Sequence, residues 1–280
     1  MSADLNQPLS PGLYVVATPI GNLSDLSPHA ASVLSGVDVI AVEDSRVTAK
    51  LLAHIGVRKT MIPYHDHNAD RVRPNLLARM ANEAVALVSD AGTPLISDPG
   101  YKLVRDARAA GIDVHTVAGP CAAIAALTLA GLPTDRFLFM GFLPSKSGAR
   151  AAAIAEVAGL RASLVFYESG PRLKAALEAL AQGLGDREAA VCREISKKFE
   201  ETVTGTLLGL AERYGETPPK GEIVIVVGPP GEAPAPASAD VDEALREAMT
   251  RLSASRAAAE VASRLGLPRR EVYERAQALK

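Results

Sequence analysis

Short apolar runs alternate with helix-like patterns along the first half of this sequence. The runs at 13–17, 37–42 and 84–88 hold almost no polar residues, so both faces of each expected strand must be covered. Parallel sheets packed between helices are built from strands of this kind. The alternation therefore predicts an α/β fold with a parallel sheet, which we assign to a first domain at residues 1–132. Among its helices, one is predicted to begin at Pro28 with Ser27 as its cap, and another is predicted at 74–83 with Pro74 at its start.

A second α/β domain is expected at 133–228, and its sheet is expected to be of a different kind. Extended segments are predicted at 137–142, 164–167, 189–195, 201–206 and 223–227. The third and fourth of these segments follow one another directly, which indicates an antiparallel contribution. The second domain is therefore predicted to contain a mixed sheet.

A proline-rich segment separates these domains from a helical tail. Residues 228–239 read GPPGEAPAPASA, and we take 229–239 as a semi-rigid linker. The tail at 240–280 shows three helical patterns, and a short turn at 265–267 joins the last two. Small residues at such a turn let two helices cross closely, as in a helix-turn-helix.

Two interpretations of the tail stay open at the level of sequence. Arg269, Arg270 and Arg275 would lie on the recognition helix, which favours contact with nucleic acid. The tail carries eight basic and seven acidic residues, so its net charge does not decide the matter. A small three-helix cap that packs on its own protein fits the same pattern.

The chain as a whole is close to neutral, which limits how it can bind a polyanion. Its formal net charge is -2, so it has no strongly basic coat for nucleic acid. Any RNA would have to be met by local patches. In the first domain the candidates are Arg46, Lys50, Arg71 and Arg73.

Cysteine use and hydropathy indicate a soluble chain of the cytoplasm. Cys121 and Cys192 lie far apart and form no C-x-x-C pair, which argues against a disulfide framework, a structural zinc or an iron–sulfur cluster. Residues 1–12 lack the basic and apolar regions of a secretory signal. The uncharged stretch at 114–134 is long enough for a bilayer, but its glycines, prolines and alanines fit a strand, a turn and a buried helix better.

Polar loops follow the predicted strands of the first domain, at the edge where open α/β sheets bind ligands. Glu43 and Asp44 come after the second strand and precede a helix, with Arg46 close by. Carboxylates in this position stabilise the N-terminus of a helix. They could equally act as a general base or substrate anchor, beside an arginine that holds a phosphate. Spacing alone does not separate these roles.

Metal binding and nucleotide binding both lack support in the sequence. His65 and His67 have the spacing of two ligands on one face of a strand, but no third ligand is adjacent. Hydrogen bonding or substrate contact is therefore favoured for these histidines, and no metal is predicted. The patterns G-x-G-x-x-G and G-x-x-x-x-G-K-[ST] do not occur, which removes the main support for dinucleotide and P-loop sites.

Seven segments, taken together, resemble one known family. In chain order they read LYVVATPIGNLSDLS, AVEDSR, YHDHN, SDAGTPLISDPGY, VAGPCAAIAAL, FYESGPRL and GEIVIVVG. This set resembles the ribosomal RNA small-subunit methyltransferase I family, whose members are S-adenosylmethionine-dependent 2'-O-ribose methyltransferases of the tetrapyrrole methylase superfamily. The resemblance covers residues 12–230, and the tail is similar to the helix-turn-helix extension of many members. Ser45 and Gly170 depart from the usual pattern without removing a charged group.

The resemblance implies two α/β domains of the tetrapyrrole-methylase type, with an S-adenosylmethionine site between them. Cofactor contacts are expected from Ile20, Thr93, Pro94, Ile96, Cys121, Ala122, Tyr167, Gly221 and Glu222. Substrate contacts are expected from Asn22, His65, His67 and Asn68. Glu43 or Asp44 is the candidate base for a ribose hydroxyl, and Arg46 is the candidate partner of a neighbouring phosphate.

The resemblance also implies a substrate and an assembly. The expected substrate is the ribose of a cytidine in small-subunit (16S-type) ribosomal RNA, within the ribosomal subunit. A homodimer that does not engage membranes is expected. A tetrapyrrole methylase acting on a small molecule is the alternative, and a non-catalytic RNA-binding module is the third possibility. The segments EDSR and YHDHN and the tail favour RNA, whereas the cofactor loops favour an enzyme.

Overall fold

The structure is a computed structural model that describes residues 9–215, 217–231 and 238–279. The chain folds into two compact units, one up to Pro229 and one from Pro230 onward. Both predicted α/β domains belong to the first unit, and the boundary between them stays a prediction.

The first half of the larger unit is built on a five-stranded parallel sheet, as predicted. Its strands are β1 Gly12–Val16, β2 Val39–Val42, β3 Thr60–Pro63, β4 Ala84–Val88 and β5 Val114–Val117. They lie side by side in the order β3-β2-β4-β1-β5. Every residue of β2 and β4 is buried, and alternate residues of β4 join two separate hydrophobic clusters, one on each face. This double burial explains the almost purely apolar sequence of both strands.

Helices follow the strands of this sheet, and two of these helices begin with a side-chain cap. The helices are α1 Pro28–Gly36, α2 Ser45–His54, α3 Ala69–Met80, α4 Tyr101–Ala109 and α5 Ala122–Ala130. The hydroxyl of Ser27 accepts a hydrogen bond from the Ala30 amide, which confirms the predicted cap of α1. Asp44 caps α2 in the same way, through the Arg46 amide.

Helix α3 begins earlier than the sequence predicts. Pro74 is a typical first residue of a helix, but here it lies inside α3, which begins at Ala69. The side chain of Asn68 joins the preceding turn by accepting from the His65 amide and donating to the Pro63 carbonyl. This turn starts the helix before Pro74, whose missing amide costs one hydrogen bond on an exposed side of the helix.

The second sheet is mixed, as predicted. Its strands are β6 Phe137–Phe142, β7 Ser163–Ser169, β8 Glu188–Arg193, β9 Glu201–Thr206 and β10 Glu222–Val227. They lie in the order β6-β7-β10-β8-β9, with β6 parallel to β7 and every other pair antiparallel. One face is covered by α6 Ser147–Val157, α7 Leu173–Leu184 and α8 Leu207–Arg213.

Helix α5 covers the opposite face of the second sheet, although it follows the last strand of the first sheet. Ala123, Ala126, Leu127 and Ala130 pack with residues of β7, β8 and β10, including Cys192. Alanines leave little side-chain volume between the helix and the sheet, so the two backbones approach closely. The first turn of α5 is therefore held between the two sheets.

The second unit is a bundle of three helices with its own apolar core. These are α9 Ser238–Met249, α10 Ala254–Leu265 and α11 Arg269–Ala278. The turn between α10 and α11 uses Gly266 at a φ of 66°, a conformation that glycine adopts without strain. Arg275 pairs with Asp242, so this arginine joins α11 to α9. Most of the predicted linker, at 232–237, lies outside the described residues.

The uncharged stretch at 114–134 contains β5 and α5, as the sequence predicts. Within the part of the chain that the structure describes, no helix is both long enough and apolar enough to cross a membrane.

Candidate active site

A cleft of about 450 Å³ opens between the carboxyl ends of the first sheet's strands and the second sheet. Loops that follow β1, β2, β4 and β5 supply one wall, and strands β6, β7 and β10 supply the other. Cavities of roughly 300–1,000 Å³ are typical of small-molecule sites. The cleft is therefore large enough for a cofactor-sized ligand.

The loops after β1, β4 and β5 are tied to one another by hydrogen bonds. The amides and carbonyls of Thr18 and Gly92 pair reciprocally, at 2.8 and 3.1 Å. The Thr93 hydroxyl donates to the Pro120 carbonyl at 2.9 Å. Gly92 has a φ of 82°, and a Cβ there would lie 3.2 Å from Ile20. Any other residue would be strained where these loops meet.

Carboxylates from neighbouring loops line the first wall. The Glu43 carboxylate accepts from the Asp90 amide at 3.4 Å, and the Asp90 carboxylate accepts from the Asp44 amide at 3.0 Å. Burial raises the pKa of Glu43, and nearby Asp90 and Asp66 raise it further. Burial is also the main cause of the raised pKa of Asp90.

Asp98 is the most strongly perturbed carboxyl group of this wall. Burial raises its pKa to about 6, and the charges of Glu43 and Asp90 add to the effect. A hydrogen bond with Ser89 acts in the opposite direction. The loop before Asp98 is strained, because Leu95 and Ser97 have φ values of 75° and 64°.

Tyr167 forms the centre of the second wall. Its hydroxyl oxygen accepts a hydrogen bond from the Ala123 amide, at the start of α5, at 3.2 Å. Burial raises the pKa of Tyr167, so the phenol stays protonated at neutral pH. Phe139 and Phe142 pack against its ring in edge-to-face geometry, with centroids 4.8 and 5.7 Å away.

Close packing also constrains the start of β10, which lies at the cleft. Gly221 has a φ of 99°, and a Cβ there would collide with the Glu194 carboxylate. Glu194 accepts from the Glu222 amide, and Lys197 bonds both carboxylates at 2.8 Å. Residue 221 must therefore be a glycine for this network to form.

Eight of the nine predicted cofactor residues line this one cleft. They are Ile20, Thr93, Ile96, Cys121, Ala122, Tyr167, Gly221 and Glu222. Pro94, the ninth, is buried and is not part of the lining. Glu43 is the only one of the three predicted catalytic residues in the lining.

The other predicted residues lie outside the lining of the cleft. Asp44 bonds the guanidinium of Arg46, and these bonds hold the pKa of Asp44 at about 2. Asn22 caps the short 3-10 turn Leu23–Asp25, and Asn68 holds the turn before α3. His65 and His67 lie in that turn rather than on a strand, with ring centroids 6.0 Å apart.

Asp90, Asp98 and Phe142 also line the cleft, and they are not among the site residues predicted from the sequence. The two aspartates belong to a segment with two Ser-Asp pairs after a buried strand, which was the available signal. Phe142 gave no signal, since an apolar residue in a strand is usually part of a core.

The charge of the lining is negative. Glu43, Asp90, Asp98, Glu168 and Glu222 line the cleft, and no lysine or arginine of the described residues does so. Glu168 pairs with an arginine and Glu222 with a lysine, whereas no ion pair found within the described ranges engages the three first-wall carboxylates. Such a cleft favours a ligand that carries positive charge. No cluster of three or more metal-ligating side chains occurs among the described residues.

Comparisons with known proteins agree with this architecture. Residues 12–211 match the model of the family "Tetrapyrrole (Corrin/Porphyrin) Methylases", and residues 235–280 match "RsmI C-terminal HTH domain". Uroporphyrin-III C-methyltransferase from Thermus thermophilus, solved with S-adenosyl homocysteine, shares the fold at a TM-score of 0.54 and 20% identity, over 78% of this chain and 97% of that one. Diphthine synthase does so at a TM-score of 0.57 and 15% identity, over 77% and 89%.

The fold and the match over residues 12–211 define this chain as a methylase of the tetrapyrrole methylase class. Two relatives identify the family within this class. The ribosomal RNA small subunit methyltransferase I of Erythrobacter litoralis is 53% identical over 98% of this chain and 97% of its own length. That of Mesorhizobium japonicum is 47% identical over 98% and 94%. The chain belongs to the ribosomal RNA small subunit methyltransferase I family.

The perturbed carboxyl group of Asp98 gives a direct test of the site. We expect its carboxyl carbon to titrate near pH 6 in NMR spectra, while that of Asp44 titrates near 2. Ser89→Ala should raise the Asp98 midpoint further, because it removes a hydrogen bond to the ionised form. An Asp98 midpoint near its ordinary 3.8 would contradict the burial described above.

The same pKa predicts how stability depends on pH. The folded-state pKa of Asp98 exceeds the ordinary value of 3.8, so the folded chain binds more protons than the unfolded chain between about pH 4 and 6. The contribution of Asp98 to the free energy of unfolding therefore falls as pH rises through this range. Asp98→Asn should flatten that part of the stability profile.

Proposed function

We propose that this protein transfers a methyl group from S-adenosylmethionine to the 2'-hydroxyl of a cytidine ribose in small-subunit ribosomal RNA. The observation that carries the proposal is the nearly full-length match to relatives named ribosomal RNA small subunit methyltransferase I. The acidic cleft and its loops supply the site where this chemistry would take place.

The cleft fits the cofactor in size and in charge. S-adenosylmethionine supplies an activated methyl group on a cationic sulfonium when bound. Negative charge from Glu43, Asp90 and Asp98 favours a cation over a neutral ligand. Ala122 and Cys121 are small, so they leave room at the start of α5. Methyl transfer of this kind is an in-line displacement, and the tied loops would orient the reacting groups.

Glu43 is the residue that we propose as the base for the ribose hydroxyl. It lines the cleft, and its raised pKa makes it a stronger base than an ordinary carboxylate. Asp44 is a poorer candidate because Arg46 lowers its pKa and engages its oxygens. The side chain of Arg46 is 87% exposed, so it can meet a phosphate outside the acidic cleft.

A methyl-transfer assay tests the proposed function. Labelled S-adenosylmethionine should methylate small ribosomal subunits that carry unmodified RNA, and it should not label a bare tetrapyrrole. Ala122→Phe should abolish cofactor binding in calorimetry and abolish transfer, because the ring fills the cleft. Ile124→Phe, on the exposed side of the same helix, is the matched control and should keep both.

Label in the tetrapyrrole rather than in RNA would overturn the proposal in favour of a small-molecule methylase. RNA binding without any transfer would favour a non-catalytic RNA-binding module. The match of residues 235–280 to the C-terminal domain of the rRNA enzymes supports RNA as the substrate.

Glu43→Gln tests the role of the base. The amide cannot take a proton, so kcat should fall about a hundredfold or more, while the Kd for S-adenosylmethionine stays close to that of the wild type. The control is Asp66→Asn, which removes a nearby exposed carboxylate that does not line the cleft. If kcat is the same in Glu43→Gln and in the wild type, Glu43 is not the base.

We further propose that the protein acts in the cytoplasm, on RNA within the ribosomal subunit, and as a homodimer. The support is the family to which the chain belongs. We also keep the division into domains at 1–132, 133–228 and 240–280, with a linker at 229–239, as part of the proposal.

The C-terminal unit is proposed to dock on RNA through α11. Arg269 and Arg270 are exposed on this helix, where Arg270 forms a surface ion pair with Glu274. Arg275 is paired with Asp242 of α9. Reversing the two exposed charges (Arg269→Glu with Arg270→Glu) should weaken RNA binding and flatten its dependence on salt, because fewer counterions are released. Cofactor binding should be unchanged, since the cleft lies wholly before residue 228.

The matched control for the tail is the double variant Arg246→Glu with Arg256→Glu. It changes the net charge by the same amount as the first double variant, but at exposed positions of α9 and α10. Binding curves over a range of salt concentrations separate the two variants. If RNA affinity depends on salt concentration equally in both variants and in the wild type, the C-terminal unit is a structural element that makes no phosphate contacts.

A further inference from the structure

Aromatic side chains are scarce in this protein, and one of them is exposed in the cleft. The sequence has five phenylalanines, six tyrosines and no tryptophan. Tyr101, Phe137, Phe142, Phe199 and Tyr273 are the exposed aromatic residues in the described part of the chain. Among them, Phe142 alone lines the cleft, and it is 57% exposed.

A β-bulge turns Phe142 toward the cleft. Phe139 pairs with Val165 and Gly141 pairs with Phe166, so Met140 is an extra residue in β6. In a regular strand, residues 139 and 142 would point to opposite faces. The extra residue brings both onto the face of Tyr167, whose ring each of them contacts.

The backbone at the bulge depends on glycine. Gly141 has a φ of 64°, and a Cβ there would lie 3.1 Å from the Ser97 hydroxyl. Gly141 therefore packs next to the loop that carries Asp98. Bulges beside active sites commonly re-aim a side chain, and this one presents an aromatic ring at the edge of the acidic wall.

We propose that Phe142 is a stacking platform for the nucleobase of the nucleotide that is methylated. This inference rests on the proposed function, and it adds a substrate-positioning residue to it. Sequence-independent contacts to RNA commonly stack an unpaired base on an aromatic side chain, and a base next to a ribose placed at the cleft would meet the exposed face of Phe142. The five carboxylates repel phosphates, so an uncharged base is the part of the nucleotide that the cleft can hold.

The exposure of Phe142 favours a role in stacking on a base over a role in the hydrophobic core. Tyr167 contacts the Phe142 ring from one side, and Phe139 packs on the ring of Tyr167. More than half of the surface of Phe142 stays open to solvent. Burying an exposed aromatic surface against a base is favourable for any base, because each has a π-face. Phe142 would therefore strengthen binding and orient the ribose without reading the sequence.

Kinetics with small ribosomal subunits that carry unmodified RNA test the proposal. Phe142→Ala should raise the KM for the subunits about tenfold or more, with the Kd for S-adenosylmethionine unchanged. Phe142→Tyr should behave like the wild type because it keeps an aromatic ring. Phe142→Leu, apolar but without a π-face, should fall between the two. The matched control is Phe137→Ala, at the other end of β6 and 45% exposed, which should change neither constant.

The remaining outcomes are distinct from one another. A wild-type protein that transfers no methyl group to the subunits would refute the proposed function itself. An active wild type with an unchanged KM in Phe142→Ala would overturn the stacking role alone. Weaker cofactor binding in Phe142→Ala would indicate that Phe142 contacts the cofactor. A lower mass of this variant than of the wild type in light scattering would indicate that Phe142 contacts a second subunit. Either result would overturn the proposal.

Discussion

The packing of α5 on the second sheet is the contact on which the cleft depends. This helix begins directly after the loop of β5 and buries its alanine face against β7, β8 and β10. The Ala123 amide also donates to the hydroxyl oxygen of Tyr167, so the start of the helix is bonded to the second wall. Because one short helix joins the loops of one sheet to the face of the other, the distance between the two walls is determined by a rigid element rather than by a linker.

The charges divide the molecule into an acidic cleft and a more basic exterior. Within the described residues, carboxylates without an ion-pair partner line the first wall, whereas exposed arginines such as Arg46 and Arg270 lie outside it. This separation suits a reaction between a cationic cofactor and a polyanionic substrate. A cationic cofactor would gain from the negative wall, and the phosphates of an RNA substrate would be directed to the surface, where like charges do not oppose them. The net charge of the whole chain is close to neutral, so it indicates neither the acidic cleft nor the basic exterior.

Much of the fold could be predicted from local sequence. Apolar strands such as β4, the Ser27 cap and the mixed character of the second sheet were predicted correctly, because each depends on neighbouring residues or on a simple pattern. The start of α3 was not, because the side chain of Asn68 begins the helix ahead of Pro74. The packing of α5 on the second sheet could not be predicted from local patterns either. Nothing in the sequence of a helix between two strands indicates which sheet the helix covers.

By itself, the sequence determined the class of fold, the family and nine of the twenty residues that line the cleft, because the glycine-rich and polar segments of these loops recur as motifs. Tertiary structure alone decided which carboxylates line the cleft. Asp44 and Asp98 are both aspartates that follow strands, but one is bonded to an exposed arginine and the other is half-buried near Glu43. It also decided the direction of Phe142, which depends on an unpaired Met140. Burial and strand register are properties of residues distant in the chain, so they appear only once the chain has folded.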